Sequence, residues 1–445
     1  MAARVLVGFA GSRAGTAPLS WGQTAIWRAI QHLVPDDGAM NMSWITALEE
    51  EGVSHDTPLE RITSTVALVM GRHESLCTRF PLDPSGEPQQ VLADAGTVPV
   101  EIVDAGDTPP AQAAAALRDR LANPAFDYGT EWPWRIGVVR TGDVVTHAGF
   151  ALCHLATDRG GVNALVRDVL HALAGNGLPP APEPPALQPL DQARHQQSPA
   201  GLRQSNKALR YWARLLRDVP LDRFPGPRHP ARAPRYWNAV LNSPAMDRAV
   251  GAVAARHQVT TSAVLLAAAA FELTRQTGGG TCVLQLIVGN RFRPGLTESV
   301  SPTAQDGLCV IEVGDADFDT VVDRAAKASM QAYLHAQYDP AGLDRALAEA
   351  GVDLSCSFND RRFDLQTPVG VAGPADVPAT TFFWRPPLER YGARYFLHIN
   401  GVPDAIELEL FADTEVLPPE AMEAYLRGME ELVVAAGQST TSSAV

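Results

Sequence analysis

The chain has 445 residues, of which 46% are hydrophobic and 19% charged, a composition typical of folded globular proteins and not of disordered ones. Its length is that of two domains. Fifty acidic against 36 basic side chains give a formal charge of −14, and no basic stripe is visible in the sequence, so we do not expect nucleic acid as the main partner.

Cysteine usage and the first residues indicate where the protein works. Five scattered cysteines, without CxxC or metal-ligand spacing, predict reduced and mostly buried thiols: Cys77, Cys153, Cys282, Cys309 and Cys356. The apolar run from Val5 to Ala10 is too short for a membrane span and is preceded only by Arg4, so we interpret it as a first strand and not a secretion signal. The sequence thus favours a cytoplasmic protein with no membrane partner.

The first 176 residues predict alternating helices and strands. Ser20 is a plausible N-cap for a helix that begins near Trp21. Thr57 and Glu60 predict a capping box, with Pro58 in the first turn, for a helix that runs to about Arg72. The remaining predicted elements are a helix at 108–121, strands near 40–48 and 98–103, a hairpin of 134–140 with 144–154, and a helix from 162 to 173.

A proline-rich stretch at 175–185 is unsuited to a helix or a central strand and predicts a linker. The following residues predict helices near 206–217, 262–275, 318–337 and 419–436, and strands near 282–288, 352–358, 380–384, 393–399 and 405–411. The predicted fold is therefore α+β, with an N-terminal lobe (1–176) that carries the active-site motif, a linker (177–200) and a C-terminal lobe (201–445). Two such lobes predict a cleft between them.

The most informative segment is Cys153 to Gly161, at the end of the second hairpin strand. His154 and Asp158 lie four residues apart where that strand gives way to a loop and then a helix. Loops held by a rigid scaffold often carry chemistry, and a histidine presented there can serve as a base in acyl transfer.

Several segments, in order along the chain, resemble the condensation domains of nonribosomal peptide synthetases, which belong to the chloramphenicol-acetyltransferase-like superfamily. Leu19 to Trp27 resembles their opening motif, and Pro124 to Asp127 their Pro-Phe-Asp turn. Arg72 to Phe80 is similar to RHExLRTxF, with Cys77 where arginine is usual. Gly289 to Arg291 falls where the family has a Gly-Arg at a strand end.

The family signature HHxxxDG appears here as Cys153 to Arg159, so the second histidine and the aspartate are retained while the first histidine and the glycine are replaced. The resemblance implies that His154 and Asp158 form the catalytic motif, with His154 as the chemical residue and Asp158 as an organiser that forms a structural salt bridge with Arg291. It implies two chloramphenicol-acetyltransferase-like lobes in a V-shaped arrangement around a central cleft.

The resemblance also implies the reaction and its partners. The donor is an activated acyl thioester, so no metal and no bound cofactor are expected, and the phosphopantetheine arm of an acyl or peptidyl carrier protein tethers the substrate. We expect a monomer that meets its carrier in trans and a small-molecule acceptor, with Arg159, Gly160 and Ser357 as substrate-binding candidates.

The two departures from the signature have different consequences. Neighbouring strand residues point to opposite faces, so Cys153 is expected to be structural and not a nucleophile activated by His154. Arg159 leaves three interpretations open: it narrows the substrate tunnel, it binds a carboxylate of the acceptor, or it turns outward to solvent.

Other histidines are expected to be structural. His73 is expected to pack or cap, His335 to end a helix, and His147 to face away from His154. A zinc site that combines Cys153 with His154 is not expected, since adjacent strand side chains diverge.

The sequence leaves three functions open. The first is a free-standing condensation enzyme that joins a carrier-bound acyl or aminoacyl thioester to an amine or alcohol in natural-product biosynthesis. The second is a catalytically silent docking platform for another biosynthetic enzyme, and the third is an acyl-coenzyme A transferase of the same fold. Arg210, Arg214 and Arg217 form one candidate basic patch for an acidic carrier.

Overall fold

The chain passes three times between two units. The computed structural model describes residues 3–54, 57–181, 186–221, 224, 226, 228–362 and 378–438. Unit 1 consists of Met1–Arg203 and Gly289–Ala304, and unit 2 of Gln204–Val288 and Gln305–Val445. The sequence predicted a single crossing at 177–200, whereas Gly289–Ala304 belongs to unit 1 and not to the predicted C-terminal lobe.

Unit 1 contains a five-stranded sheet in the order β1-β6-β7-β8-β3 and a three-stranded sheet in the order β2-β5-β4. Its strands are β1 (Ala3–Ala10), β2 (Gly15–Pro18), β3 (Met42–Ala47), β4 (Thr78–Arg79), β5 (Gln89–Leu92), β6 (Ala95–Asp104), β7 (Trp134–Thr141) and β8 (Val144–Leu152). Its helices are α1 (Trp21–Leu33), α2 (Leu59–Arg72), α3 (Pro110–Ala122), α4 (Arg159–His171) and α5 (Pro189–Gln197), and α6 (Pro199–Leu216) continues into unit 2.

The core of unit 1 explains why β8 can present a loop at a fixed place. Strand β8 pairs antiparallel with both β7 and β3, and all residues from Ala148 to Leu152 are buried. Helices α2 and α4 contribute Val69 and Leu165 to the same apolar core. A strand paired on both edges and covered by helices is held rigidly, so the residues that follow Leu152 leave the sheet in a defined direction.

Unit 2 contains a seven-stranded mixed sheet in the order β11-β10-β12-β14-β15-β9-β13. Its strands are β9 (Tyr236–Ser243), β10 (Thr281–Val288), β11 (Gln305–Glu312), β12 (Cys356–Asp360), β13 (Thr381–Leu388), β14 (Tyr395–Val402) and β15 (Ala405–Asp413). Its helices are α7 (Pro244–His257), α8 (Thr261–Thr277), α9 (Phe318–Leu334), α10 (Pro340–Ala350) and α11 (Pro419–Gln438). Helix α8 is buried along most of its length, and its alanine-rich sequence allows its neighbours to pack closely.

The α+β fold class is confirmed, and the structure corrects the sequence predictions in several places. The predicted capping box of α2 is wrong, because Pro58 is the N-cap residue and the Thr57 hydroxyl donates to the Ser54 carbonyl instead. The predicted linker contains a helix, α5, since Leu190 and Ala193 pack into the core of unit 1. Residues 182–185 of that linker lie outside the described residues. The elements that were not predicted are strands β2, β4, β5, β9 and β11 and helices α7 and α10.

The cysteines are as predicted: all five are free and buried. Among the described residues, no helix combines the length and the apolar content that crossing a membrane requires.

Candidate active site

The site is built on the turn that joins β8 to α4. The Cys153 amide donates to the Pro133 carbonyl at 3.0 Å, and the Ala156 amide donates back to the Cys153 carbonyl at 2.9 Å, so the chain reverses directly after the strand. Asp158 then caps α4 by accepting a hydrogen bond from the Gly161 amide at 3.0 Å. His154 is therefore fixed between a rigid strand end and a capped helix.

The protonation of His154 follows from its one hydrogen bond to the turn. The half-buried imidazole places Nδ1 2.8 Å from the Thr157 carbonyl oxygen. A carbonyl oxygen only accepts, so Nδ1 carries the proton and donates it. In the neutral ring Nε2 then keeps its lone pair, which is the form that accepts a proton from an attacking group.

Gln23 secures this turn from α1 and was missed in the sequence analysis. Its Nε2 donates to the Leu155 carbonyl and to Gln90 Oε1, both at 3.2 Å, while its Oε1 accepts from the Ser20 amide at 2.8 Å. Ser20 and Gln23 thus form a capping box, and the Ser20 N-cap prediction is confirmed. A serine followed three residues later by glutamine was the signal that could have identified Gln23.

Asp158 is buried and accepts hydrogen bonds on both carboxylate oxygens. Oδ1 accepts from Arg291 Nη2 as well as from the Gly161 amide. Oδ2 accepts from the Thr303 amide at 2.8 Å, the Thr303 hydroxyl at 3.1 Å and the Ala304 amide at 3.2 Å. Burial alone would raise the pKa of Asp158, yet the Arg291 charge and the amides of Thr303 and Gly161 lower it below the ordinary value.

The ion pair between Asp158 and Arg291 that the resemblance implied is present. Arg291 also ties its own loop together, because its guanidinium donates to four backbone carbonyls, those of Leu296, Thr297, Ser299 and Ser301. One arginine thereby holds the segment Gly289–Ala304 in shape and fixes it to the N-terminus of α4.

Two glycines allow this close packing. A Cβ on Gly160 would lie 2.5 Å from Arg291 Cδ, so any side chain there would push Arg291 away from Asp158. A Cβ on Gly22 would lie 2.8 Å from the Pro302 carbonyl carbon, so α1 approaches the Arg291 loop only because residue 22 has no side chain. The structure gives Gly160 this packing role, and substrate binding by Gly160 stays a prediction.

Arg159 is the first residue of α4, and its side chain is exposed. Within the part of the chain that the structure describes, no acidic side chain forms an ion pair with it. An exposed arginine at a helix N-terminus fits the outward interpretation, while its role in substrate binding stays a prediction. Ser357 lies in β12 of unit 2, where it is buried and pairs in register with Gln285 and Phe396. Its role in substrate binding stays a prediction.

Both cysteine departures from the family pattern are accommodated as buried thiols. Cys153 packs in an apolar cluster with Leu19, Ile30, Phe80, Phe126 and Leu155, and burial raises its pKa to about 12. Cys77 is buried too, its thiol donates to the Met70 carbonyl at 3.2 Å, and burial raises its pKa to about 12. Neither is a thiolate near neutral pH, so the structural interpretation of Cys153 is confirmed. The predicted position of Cys153 and His154 on the strand is wrong, because β8 ends at Leu152.

His73 is confirmed as a packed residue. Its Nε2 donates to Asp168 of α4 at 2.9 Å, and the same carboxylate pairs with Arg72 at 3.3 Å. Burial lowers the pKa of His73 in spite of Asp168, so the ring is neutral near pH 7. The second motif therefore fastens α2 to α4, the helix that Asp158 caps.

The other two histidines also lie apart from the turn. His335 ends α9, where Nδ1 donates to the Gln331 carbonyl at 2.8 Å and the ring stacks on Tyr211. His147 lies within β8, seven residues before His154, beside Thr146. Among the described residues, no group of three His, Cys, Asp or Glu side chains is arranged to hold a metal ion.

Comparison with known proteins places this geometry in a family. The condensation domain model matches residues 13–361. Cyclosporin synthetase simA of Tolypocladium inflatum is 27% identical over 298 residues, which cover 66% of this chain and 2% of the synthetase. Phosphinothricin tripeptide synthetase PhsC of Streptomyces viridochromogenes is 29% identical over 303 residues, covering 64% and 26%. The chain therefore spans only a small part of these relatives.

Solved structures show the same fold. One, described as the molecular basis for condensation domain-mediated chain release from the enacyloxin polyketide synthase, has a TM-score of 0.74 at 18% identity and covers 96% of this chain and 84% of that one. The X-domain from teicoplanin biosynthesis has a TM-score of 0.68 at 19% identity and covers 97% of both chains. With the family model matching most of its length, this chain belongs to the condensation domain family.

Proposed function

We propose that this condensation domain joins an acyl or aminoacyl group, carried as a thioester on the phosphopantetheine arm of a carrier protein, to an amine or alcohol acceptor. The observation that carries the proposal is the state of His154. Its Nδ1–H is held by the Thr157 carbonyl, so Nε2 is the ring atom free to accept a proton.

The proposed reaction is an acyl transfer. The acceptor nitrogen or oxygen attacks the thioester carbonyl carbon while Nε2 of His154 takes the proton that the acceptor loses. The carbon–sulfur bond then breaks, the proton passes from the imidazolium to the departing thiolate, and the products are an amide or ester and a free carrier thiol. The Thr157 carbonyl strengthens its bond to Nδ1–H as the ring becomes positive, which stabilises the charged intermediate.

Asp158 has a positioning role in this proposal. Both of its oxygens are engaged by Arg291, Gly161, Thr303 and Ala304. Its carboxylate supports the turn instead of accepting the acceptor's proton.

A silent docking platform is the second candidate. The replacement of the signature glycine by Arg159 favours it, and so does the fold likeness to an X-domain solved in complex with OxyB from teicoplanin biosynthesis, with a TM-score of 0.67. The exposed side chain of Arg159 weighs against a simple block at this position.

The deciding experiment supplies one acyl group on three carriers: a holo carrier protein, pantetheine and coenzyme A. Each thioester is incubated with a panel of amines and alcohols, and products are identified by mass spectrometry. We expect product with the carrier-bound donor and much less with coenzyme A. Equal turnover of the coenzyme A thioester would instead indicate a coenzyme A-dependent transferase, and no product with any acceptor would favour the platform.

A further inference from the structure

Helix α6 and Arg217, the residue directly after it, carry a row of positive charges that the sequence predicted only in part. Five exposed cations follow one another at alternating spacings of four and three residues: Arg203, Lys207, Arg210, Arg214 and Arg217. At 3.6 residues per turn they fall within an arc of about 80°, and they extend over about 21 Å of helix axis. We call these five residues the basic ridge, and it contradicts the expectation that the chain has no basic stripe.

The opposite face of α6 fixes the direction of the basic ridge. Ala208, Trp212 and Leu216 are buried in one apolar cluster, and Trp212 is 0% exposed. Helix α6 cannot rotate without exposing these side chains, so the face that carries Arg203, Lys207, Arg210 and Arg214 stays toward solvent, and Arg217 follows at the end of the helix. Leu202, 49% exposed, lies along one flank and offers apolar contact surface beside the charges.

The charges of the basic ridge are unbalanced within the structure. Over the described residues, none of the five forms an ion pair, although acidic side chains outnumber basic ones by 50 to 36. Other arginines do find carboxylates: Arg13 pairs with Glu74, and Arg135 with Glu131. Like charges at these spacings repel one another along a helix, so the ridge is an unfavourable arrangement for the isolated chain.

We propose that the basic ridge is the docking surface for an acidic helix of a protein partner, and that this partner is the carrier protein. The identification of the partner rests on the function proposed above. The basic ridge is about 21 Å long, which is the length of about 14 helical residues, so one helix of the partner can span it. A net charge of −14 repels long polyanions such as nucleic acid, so only a short acidic surface can approach the ridge closely.

The binding test uses two alanine-based helical peptides of equal composition. The first carries five glutamates at the ridge spacing on one face, and the second distributes them around the helix. Fluorescence anisotropy measures their affinities for the whole chain, with a short DNA duplex as a further probe. The test variant is K207Q/R210Q/R214Q, and the matched control R4Q/K327Q/R345Q removes three exposed charges from dispersed sites.

We expect the first peptide to bind more tightly than the second. The ridge variant should weaken that binding by about tenfold, because three exposed charge pairs are lost together, while the dispersed control changes it little. Equal affinity of both peptides, equal losses in the two variants, or tighter binding of the duplex would overturn the proposal.

The carrier assay separates this proposal from the proposed function. With the carrier-bound thioester, the ridge variant should raise the apparent KM for the carrier more than it lowers kcat. Product formation that is identical in the ridge variant and wild type would refute the ridge and leave the condensation activity intact. Carrier binding that requires the ridge, but yields no product, would support the ridge and refute the activity.

Discussion

Replacing Asp158 by alanine tests the structural centre of the site. The substitution removes an acceptor of five hydrogen bonds and leaves the Arg291 guanidinium without its counter-ion. Breaking a buried ion pair by removing one partner costs about 3 to 5 kcal/mol. Four carbonyls still accept from Arg291, so we expect a loss of folding free energy near the lower end, about 3 kcal/mol.

Asparagine is not a conservative replacement here. Its amide keeps one acceptor oxygen for Arg291 and Gly161, but turns an NH2 group toward the amides of Thr303 and Ala304, which are donors themselves. We therefore expect Asp158→Asn to be destabilised nearly as much as Asp158→Ala, although the two side chains of Asp and Asn have almost the same shape.

The assay is urea denaturation followed by circular dichroism and tryptophan fluorescence, with Asp143→Ala as the control in an exposed hairpin turn. The control should stay within about 0.5 kcal/mol of wild type. The pKa of Asp158 in the folded protein is lowered from 3.8, so its contribution to the free energy of unfolding is fully present above pH 3.8. This contribution is lost as the pH falls through the folded pKa. An Asp158→Ala variant as stable as wild type at pH 7 would refute the buried pairing.

Three further predictions concern neighbouring residues. Burial lowers the pKa of His73, so below about pH 6.5 the unfolded chain binds more protons than the folded one. The free energy of unfolding of wild type should therefore decrease as the pH is lowered, by up to about 1.4 kcal/mol per pH unit. In denaturation curves His73→Gln should reduce this dependence on pH. Gly160→Ala should destabilise by about 1 to 3 kcal/mol because its Cβ displaces Arg291, whereas Gly251→Ala in α7, with open space around it, should be neutral or stabilising, and equal effects would contradict the packing argument. Arg159→Gly should leave the KM for the acceptor unchanged if the side chain faces solvent, and a weaker affinity for acidic acceptors alone would show instead that it binds their carboxylate.

The sequence predicted the local part of this site well, because its signals are local. Apolar periodicity predicted a strand as far as His154 and a helix from Val162, close to the observed strand end at Leu152 and helix start at Arg159. The Asp158–Arg291 pair joins residues 133 positions apart, and only the family resemblance indicated it. The spacing of Ser20 and Gln23 indicates a capping box, but it does not reveal the contact of Gln23 with Leu155, which lies 132 positions away in the sequence.

The boundaries between units were harder to predict for the same reason. Proline-rich composition indicated a linker, but Leu190 and Ala193 show that part of it is core, and composition does not report on tertiary packing. The segment Gly289–Ala304 belongs to unit 1 because of long-range hydrogen bonds, such as that of the Leu187 amide to Gly295. The sequence predicted only Arg210, Arg214 and Arg217 of the basic ridge, because the helix was expected to begin near residue 206 and α6 begins at Pro199.

The most direct test of the account is single-turnover acyl transfer by His154→Ala. Wild type, His154→Ala and Cys153→Ala are mixed with a carrier-bound thioester and an acceptor amine, and product is measured against time. We expect a rate lower by about 10²- to 10⁴-fold in His154→Ala, with Cys153→Ala near wild type. Product formation at the wild-type rate without the His154 imidazole would contradict this expectation.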